Sequence, residues 1–439
     1  MIFPKQGSSH DDVIARINDA LSADLDWRGG KIWSLVYFAG DDVADVIRDA
    51  YSAAIYTNGL GPTAFKSLKK LESEVIAMTG ELLGLPEAVG NMTSGGTESI
   101  LMALKTARDW ARAEKGITEP EVILPTTAHP AFHKAARYLG LKIVLTPIRD
   151  DYRADVDAVR SAIAQNTVLV VGSAPCYPFG TIDDIPALAA AAQQRGVPMH
   201  VDACVGGFLL PFVERNGYKV PPWDFRVPGV ASISADLHKY GFAARGASTI
   251  MYRDRTYRKH QFFTMSDWPG GLYGSPTLAG SRPGGAVAAS WAVMTYLGEE
   301  GYMRLAKVIM ETALAIRRGI EAIPGLRIFG DPDVSLMAFG SDELDIYAVG
   351  DALDQLDWHP DRQQDPPSLH LMVTPAHQPI VQPFLAAVRQ AVESVRAGEV
   401  VSGGTAAMYG AAAKIPDRGA VRSFIADAVE GFTRLDKTP

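Results

Sequence analysis

Six short runs rich in branched apolar residues most constrain the fold: EVILP at 121–125, KIVLTPI at 142–148, NTVLVVGS at 166–173, VPMHVDA at 197–203, VASISAD at 230–236 and STIMY at 248–252. A near-continuous apolar strand is a strand covered on both faces, unlike the alternating pattern of a half-exposed sheet. Between them lie segments of helical period, including TESILMALKTARDWARAEKG, PAFHKAARYLG and DDIPALAAAAQQRG, each ending in a glycine suited to a helix C-terminus. Strand and helix in alternation predict a mainly parallel α/β sheet flanked by helices. After GSRPGG the texture changes to a long helical stretch from about 286 to 322, then short strands and helices to the end. The expected organisation is an N-terminal helical segment over 1–55, a large domain over 56–298 and a smaller α/β domain over 299–439.

Composition narrows the class. With 439 residues, 47% hydrophobic and 21% charged, the chain can bury a large core and is neither disordered nor fibrous. A net charge of -8 gives no global attraction to nucleic acid or acidic membranes. Two cysteines, Cys176 and Cys204, are too few for a disulfide framework and point to a reducing, cytoplasmic compartment. No signal peptide and no long uncharged apolar run occurs, so no transmembrane segment is expected.

The chemistry gathers where predicted strands end. NMTSGGTESILMAL joins Ser94, Gly95, Gly96 and Thr97 to the start of a helix, a turn whose amides and positive helix end suit a phosphate, though the same residues also serve ordinary helix capping. Asp202 closes a predicted central strand in PMHVDACVGGF, at the carboxyl edge where ligands bind open α/β sheets. Lys239 follows the next strand in SISADLHKYGFAARGAS. A lysine for a Schiff base, an aspartate for a pyridine nitrogen and a phosphate turn are what pyridoxal 5'-phosphate requires. His129, after another strand, is placed to stack on the cofactor ring, with a helix-start histidine as the plainer reading. Cys204 is expected under the opposite ring face as a small packing side chain, and Ser234 and His238 beside the phosphate. His359, His370 and His377 lack metal-ligand spacing and are read as structural, with no metal expected.

The runs NMTSGGTESILMALK, HVDACVGGFLLPF, DFRVPGVASISADLHKYGFAARGAS, QFFTMSDWPGGLYGSPTLAGSRPGG and GTAAMYGAAA resemble the sphingosine-1-phosphate lyase family, over about residues 30 to 430. That family belongs to the pyridoxal-phosphate group that includes glutamate and aromatic amino-acid decarboxylases. The resemblance implies the aspartate aminotransferase fold (fold type I), with retro-aldol cleavage of a phosphorylated long-chain amino alcohol to a long-chain aldehyde and phosphoethanolamine. It also implies a homodimer with shared active sites. By the same resemblance Tyr37 and Tyr177 match active-site tyrosines, each also readable as a packing aromatic. Arg245 stands where the family usually has lysine, as a ligand for the substrate phosphate. Asn58 and Tyr409 match residues reaching the site, and Arg282 either holds its loop or serves a neighbouring subunit's cofactor phosphate. Gly61 stands where many members carry a histidine, so one expected phosphate ligand is missing. An amino-acid decarboxylase using the same cofactor residues, and a non-catalytic scaffold, are the competing readings.

Overall fold

The computed structural model describes residues 3–399, 415 and 417–431. Its centre is a seven-stranded sheet built from β1 (Val89–Thr93), β2 (Glu121–Pro125), β3 (Lys142–Thr146), β4 (Thr167–Ser173), β5 (Met199–Asp202), β6 (Val230–Ala235) and β7 (Ser248–Tyr252), in the order β1-β7-β6-β5-β4-β2-β3. β2 to β6 pair in parallel, whereas β7 runs antiparallel to both β6 and β1. Every residue of β4, β5 and β7 is buried, which accounts for the apolar runs at the heart of β4 and β7. All six expected strands form; β1, with sequence VGNMT, carries too few branched apolar residues to announce itself.

Ten helices accompany this sheet in chain order: α1 (His10–Leu21), α2 (Asp41–Ala53), α3 (Lys66–Leu82), α4 (Gly96–Lys115), α5 (Ala131–Leu139), α6 (Val156–Ala162), α7 (Ile185–Gln194), α8 (Leu210–Arg215), α9 (Arg255–Arg258) and α10 (Gly284–Glu321). The helix α10 is interrupted at Gly298, whose positive φ of 53° breaks the regular geometry. Between α9 and α10 an exposed antiparallel hairpin, β8 (Phe263–Trp268) and β9 (Gly271–Ser275), projects from the body.

A second sheet of four antiparallel strands follows, β10 (Arg327–Ile328), β11 (Leu336–Gly340), β12 (Asp361–Gln364) and β13 (Pro367–Met372), in the order β10-β11-β13-β12. It packs with α11 (Ile346–Gln355) and α12 (Val381–Arg396) around a core containing Trp33, Phe339 and Phe384. A last helix, α13, covers Arg418–Gly431. Among the described residues no helix is long and apolar enough to cross a membrane.

Candidate active site

The carboxyl ends of β2, β4, β5 and β6 open onto a cavity of about 360 Å³. That volume lies in the range of roughly 300–1,000 Å³ usual for small-molecule sites. Its wall includes Ser94, Gly95, Gly96, Thr97, His129, Tyr177, Asp202, Cys204, His238 and Lys239, so ten residues singled out in the sequence meet in one place.

The turn before α4 is held from below. Glu98 accepts hydrogen bonds at Oε2 from the Ser94 amide at 2.7 Å and the Ser94 hydroxyl at 2.6 Å, and at Oε1 from the Leu278 amide at 3.0 Å. The Ser94 hydroxyl therefore braces the turn instead of offering its hydrogen to the cavity. A Cβ on Gly96 would lie 2.7 Å from Cys204 Sγ and 2.9 Å from Asp236 Oδ2, so only glycine lets the helix start approach this closely. The first-turn amides of α4 have no intrahelical acceptor, and Gly95, Gly96 and Thr97 line the cavity there.

Lys239 reaches the same space from the loop after β6. Its Nζ lies 3.0 Å from Asp236 Oδ2. Burial alone would pull this ammonium down, but the negative charge of Asp236 overrides it and holds the pKa above the ordinary lysine value. Burial would likewise raise Asp236, yet Lys239 and His238 keep its carboxyl well below the usual range. His238 Nδ1 accepts from the Ala247 amide at 3.2 Å, and its Cε1 would lie 3.2 Å from a Cβ on Gly95. Asp236 is a further site residue that the sequence does not single out, because an aspartate just after a strand serves equally as an ordinary cap.

Asp202 is fixed through one oxygen. Its Oδ1 accepts from the Cys204 amide and from the Ser234 hydroxyl, each at 3.1 Å, and Ser234 Oγ lies 3.2 Å from His200 Nε2. Ser234 was expected beside the cofactor phosphate; its hydroxyl instead supports Asp202, and the residue is absent from the cavity wall. His129 Nδ1 accepts from the Ala131 amide at 3.1 Å, leaving Nε2 to carry the proton, and burial depresses the imidazole's pKa, so the ring is neutral. Cys204 is buried and its thiol is pushed up by burial, which suits packing and not nucleophilic attack.

The remaining expected residues divide. Tyr177 lines the cavity, and its hydroxyl donates to Asp361 Oδ2 at 3.1 Å. Tyr37 is absent from the cavity wall; its hydroxyl donates to Met372 Sδ at 2.7 Å, its ring is edge-on to Tyr240 at 4.9 Å, and Arg245 lies over that ring at 5.5 Å. Arg245 donates to the His238 carbonyl at 3.2 Å, lies outside the cavity wall and forms no ion pair among the described residues, although the charge of Asp236 acts on it. Asn58 and Arg282 are not brought to Lys239. They line a separate cavity of about 600 Å³, where Arg282 pairs with Glu72 at 2.6 Å and Asn58 donates to Ser281 at 3.1 Å. Tyr409 lies outside the described residues. His370, read as structural, packs against the Tyr177 ring at 4.5 Å and so borders the site. No group of three potential metal ligands occurs among the described residues.

These donors fit pyridoxal 5'-phosphate: a glycine cradle that a single Cβ would fill, a lysine within the wall and a buried aspartate at the far strand end. The pyridoxal-dependent decarboxylase conserved domain matches residues 3–341. The chain belongs to the pyridoxal-dependent decarboxylase family, of fold type I, and pyridoxal 5'-phosphate is its cofactor. Within that family it is similar to sphingosine-1-phosphate lyases. It is 46% identical over 438 residues to that of Oryza sativa subsp. japonica, covering 98% of this chain and 81% of the relative, and 46% identical over 424 residues to that of Arabidopsis thaliana, covering 94% and 78%. The solved structure of the Burkholderia pseudomallei sphingosine-1-phosphate lyase superposes with a TM-score of 0.91 at 39% identity, over 99% of this chain and 98% of that one.

Proposed function

We propose that this chain is a pyridoxal-phosphate-dependent carbon–carbon lyase that cleaves phosphorylated sphingoid bases between C2 and C3, giving a long-chain aldehyde and phosphoethanolamine. The observation that carries this reading is a second cation, Arg245, held at the Tyr37 ring only six residues beyond Lys239 and engaged in no ion pair among the described residues. The cofactor cavity has its own phosphate cradle, so Arg245, which stands outside its wall, is left for a phosphate on the substrate. The names of the Oryza sativa and Arabidopsis thaliana relatives support the same substrate class.

In this reading Lys239 would tether the cofactor, the Gly95–Gly96–Thr97 turn would hold its phosphate, Asp202 would face its ring nitrogen and His129 would lie along the ring. When bound, the cofactor supplies a protonated ring that takes up the electron pair released at C2. Asp202, anchored through Oδ1 by Cys204 and Ser234, would hold the ring nitrogen protonated when the cofactor is bound. Arg245 binds and orients the substrate phosphate through its guanidinium fork. Tyr177, with Tyr37 acting on it electrostatically, handles the proton of the C3 hydroxyl. Burial holds both phenols above their ordinary pKa, so each acts as a neutral hydroxyl and not as a standing base.

Assembly as a homodimer with shared sites is part of the same proposal. Exposed apolar side chains on α1 (Ile14, Ile17, Leu21) and on the hairpin (Phe263, Trp268, Leu272), together with Asn58 and Arg282 lying apart from Lys239, support it. The two cysteines are free and buried, which supports a reducing, cytoplasmic setting.

The phosphate assignment is tested with Arg245→Ala. Losing one charge-assisted contact, about 1.5–3 kcal/mol, is expected to lower kcat/KM for a phosphorylated sphingoid base about 10- to 100-fold. Activity on the dephosphorylated base is expected to stay within twofold. An equal loss on both substrates would remove Arg245 from the phosphate site.

A further inference from the structure

The four-stranded sheet reaches into the cavity wall at Tyr177. Asp361, on β12, accepts from the Tyr177 hydroxyl at Oδ2 (3.1 Å) and from the Ser34 hydroxyl at Oδ1 (3.1 Å). His370 stands directly across from Asp361 on β13. Its Nε2 lies 2.9 Å from the Tyr177 carbonyl, and its ring lies against the tyrosine ring with centroids 4.5 Å apart. Gln363, also on β12, donates to the Pro178 carbonyl at 3.1 Å. Tyr177 is thus held by its hydroxyl, its ring and its carbonyl, all from one pair of strands.

The direction of the hydroxyl contact has a chemical consequence. A phenol has one hydrogen, and here Asp361 takes it. The lone pairs of Tyr177 Oη are then the only hydrogen-bonding capacity it can turn to a substrate, so it accepts from a substrate hydroxyl and does not donate to it. His370 is itself fixed by the same logic. Its Nδ1 is buried without a hydrogen-bond partner among the described residues, and burial pulls its pKa down to about 4, so the ring is neutral and its single proton sits on Nε2, facing the carbonyl.

We propose that Asp361 is a positioning residue for the cleavage reaction, forming with Tyr177 a hydroxyl–carboxylate pair that accepts the proton of the substrate's C3 hydroxyl. This rests on the lyase reading above. One proton leaves the substrate hydroxyl for Tyr177 Oη while one leaves Tyr177 Oη for Asp361 Oδ2. The tyrosine stays neutral, the carboxylate becomes a carboxylic acid, and the electron pair left on the substrate oxygen forms the new carbonyl as the C2–C3 pair departs. A free tyrosinate is not required, in keeping with the upward push of burial and the Asp361 charge on the phenol.

Two measurements test the pairing. In the holoenzyme, Asp361→Asn is expected to lower kcat on a phosphorylated sphingoid base by roughly 100-fold, the usual scale of one acid–base group, with KM changed less than about threefold. Tyr177→Phe should lose a similar amount, and the double variant little more than either alone, because the two act as one unit. Asp361→Glu, which keeps the carboxylate, should recover at least tenfold of the loss. Multiplicative losses in the double variant, or a Glu variant as poor as the Asn variant, would overturn the pairing.

The second measurement needs no substrate. Among the described residues, the titratable groups that act on Tyr177 are Asp361 and His370 from the four-stranded sheet, Lys239 and Tyr240 from the loop after β6 and Tyr37 from the segment before α2. With 3-fluorotyrosine at position 177, the fluorine resonance is expected to titrate about one pH unit higher in the native background than in Asp361→Asn, the shift of one adjacent charge. An unchanged titration would show that the carboxylate does not act on this phenol. If the protein cleaved no phosphorylated base, the lyase reading would fall while the fluorine titration still decided the Tyr177–Asp361 pair.

Discussion

Lys239 illustrates how one side chain can be legible while its partner is not. A lysine following a buried apolar strand, downstream of a strand-end aspartate, is recognisable because parallel strands deliver their carboxyl ends to one crevice. Asp236 completes the arrangement at 3.0 Å, yet an aspartate after a strand reads as an ordinary cap until the backbone turn between 236 and 239 is known. Asp361 and His370 lie further still from any sequence pattern, since they meet Tyr177 across 184 and 193 residues. For Lys239→Ala the expected outcome is an intact fold with cofactor no longer fixed to the protein by borohydride, and turnover lower by at least about a thousandfold. Borohydride fixation retained at native levels would assign the tether to another lysine.

At the level of elements, the start of α4 is the part of the site most exposed to small changes. It is pressed against Cys204 and Asp236 so closely that a methyl group at Gly96 has nowhere to go. Gly96→Ala is therefore expected to displace the first helical turn, with an overpacking cost of about 1–3 kcal/mol. Cofactor affinity, measured by titration of the cofactor-free protein, should fall at least tenfold. Unchanged affinity would mean that the turn does not cradle the phosphate. The strands β2 to β7 were readable from their apolar runs, but β1 pairs with β7 from a glycine- and asparagine-containing stretch, and the β8–β9 hairpin is exposed throughout β8 and lacks any burial pattern. The antiparallel direction of β7 was equally hidden, because apolar content reports burial and not strand direction.

Across the whole molecule, three buried histidines set the response to acid. His200, His370 and His377 are each held to a pKa of about 4 by burial, against a value near 6.5 when unfolded. Between those values the unfolded chain binds more protons, so their stability contribution is complete above about pH 6.5 and is lost as pH falls toward 4. Asp183, raised by burial to about 6, and Asp333, also raised by burial, act in the opposite sense over part of the same range, but burial lowers His129 and His260 alongside the three histidines. At pH 5 the histidines each forfeit on the order of 2 kcal/mol, and Tm should drop by roughly 4 °C or more from its value at pH 7.5. A Tm that held steady or rose would contradict the neutral, buried state of these rings. The two sheets also define the reaction together: the seven-stranded sheet carries Lys239 and Asp202, and the four-stranded sheet holds Tyr177 by Asp361 and His370. The decisive measurement is mass spectrometry of the products formed by the cofactor-loaded protein from a phosphorylated sphingoid base and, separately, from amino acids. Long-chain aldehyde and phosphoethanolamine in equal amounts, with no carbon dioxide from any amino acid, is the predicted result. Carbon dioxide release from an amino acid, with no aldehyde from the phosphorylated base, would contradict the account.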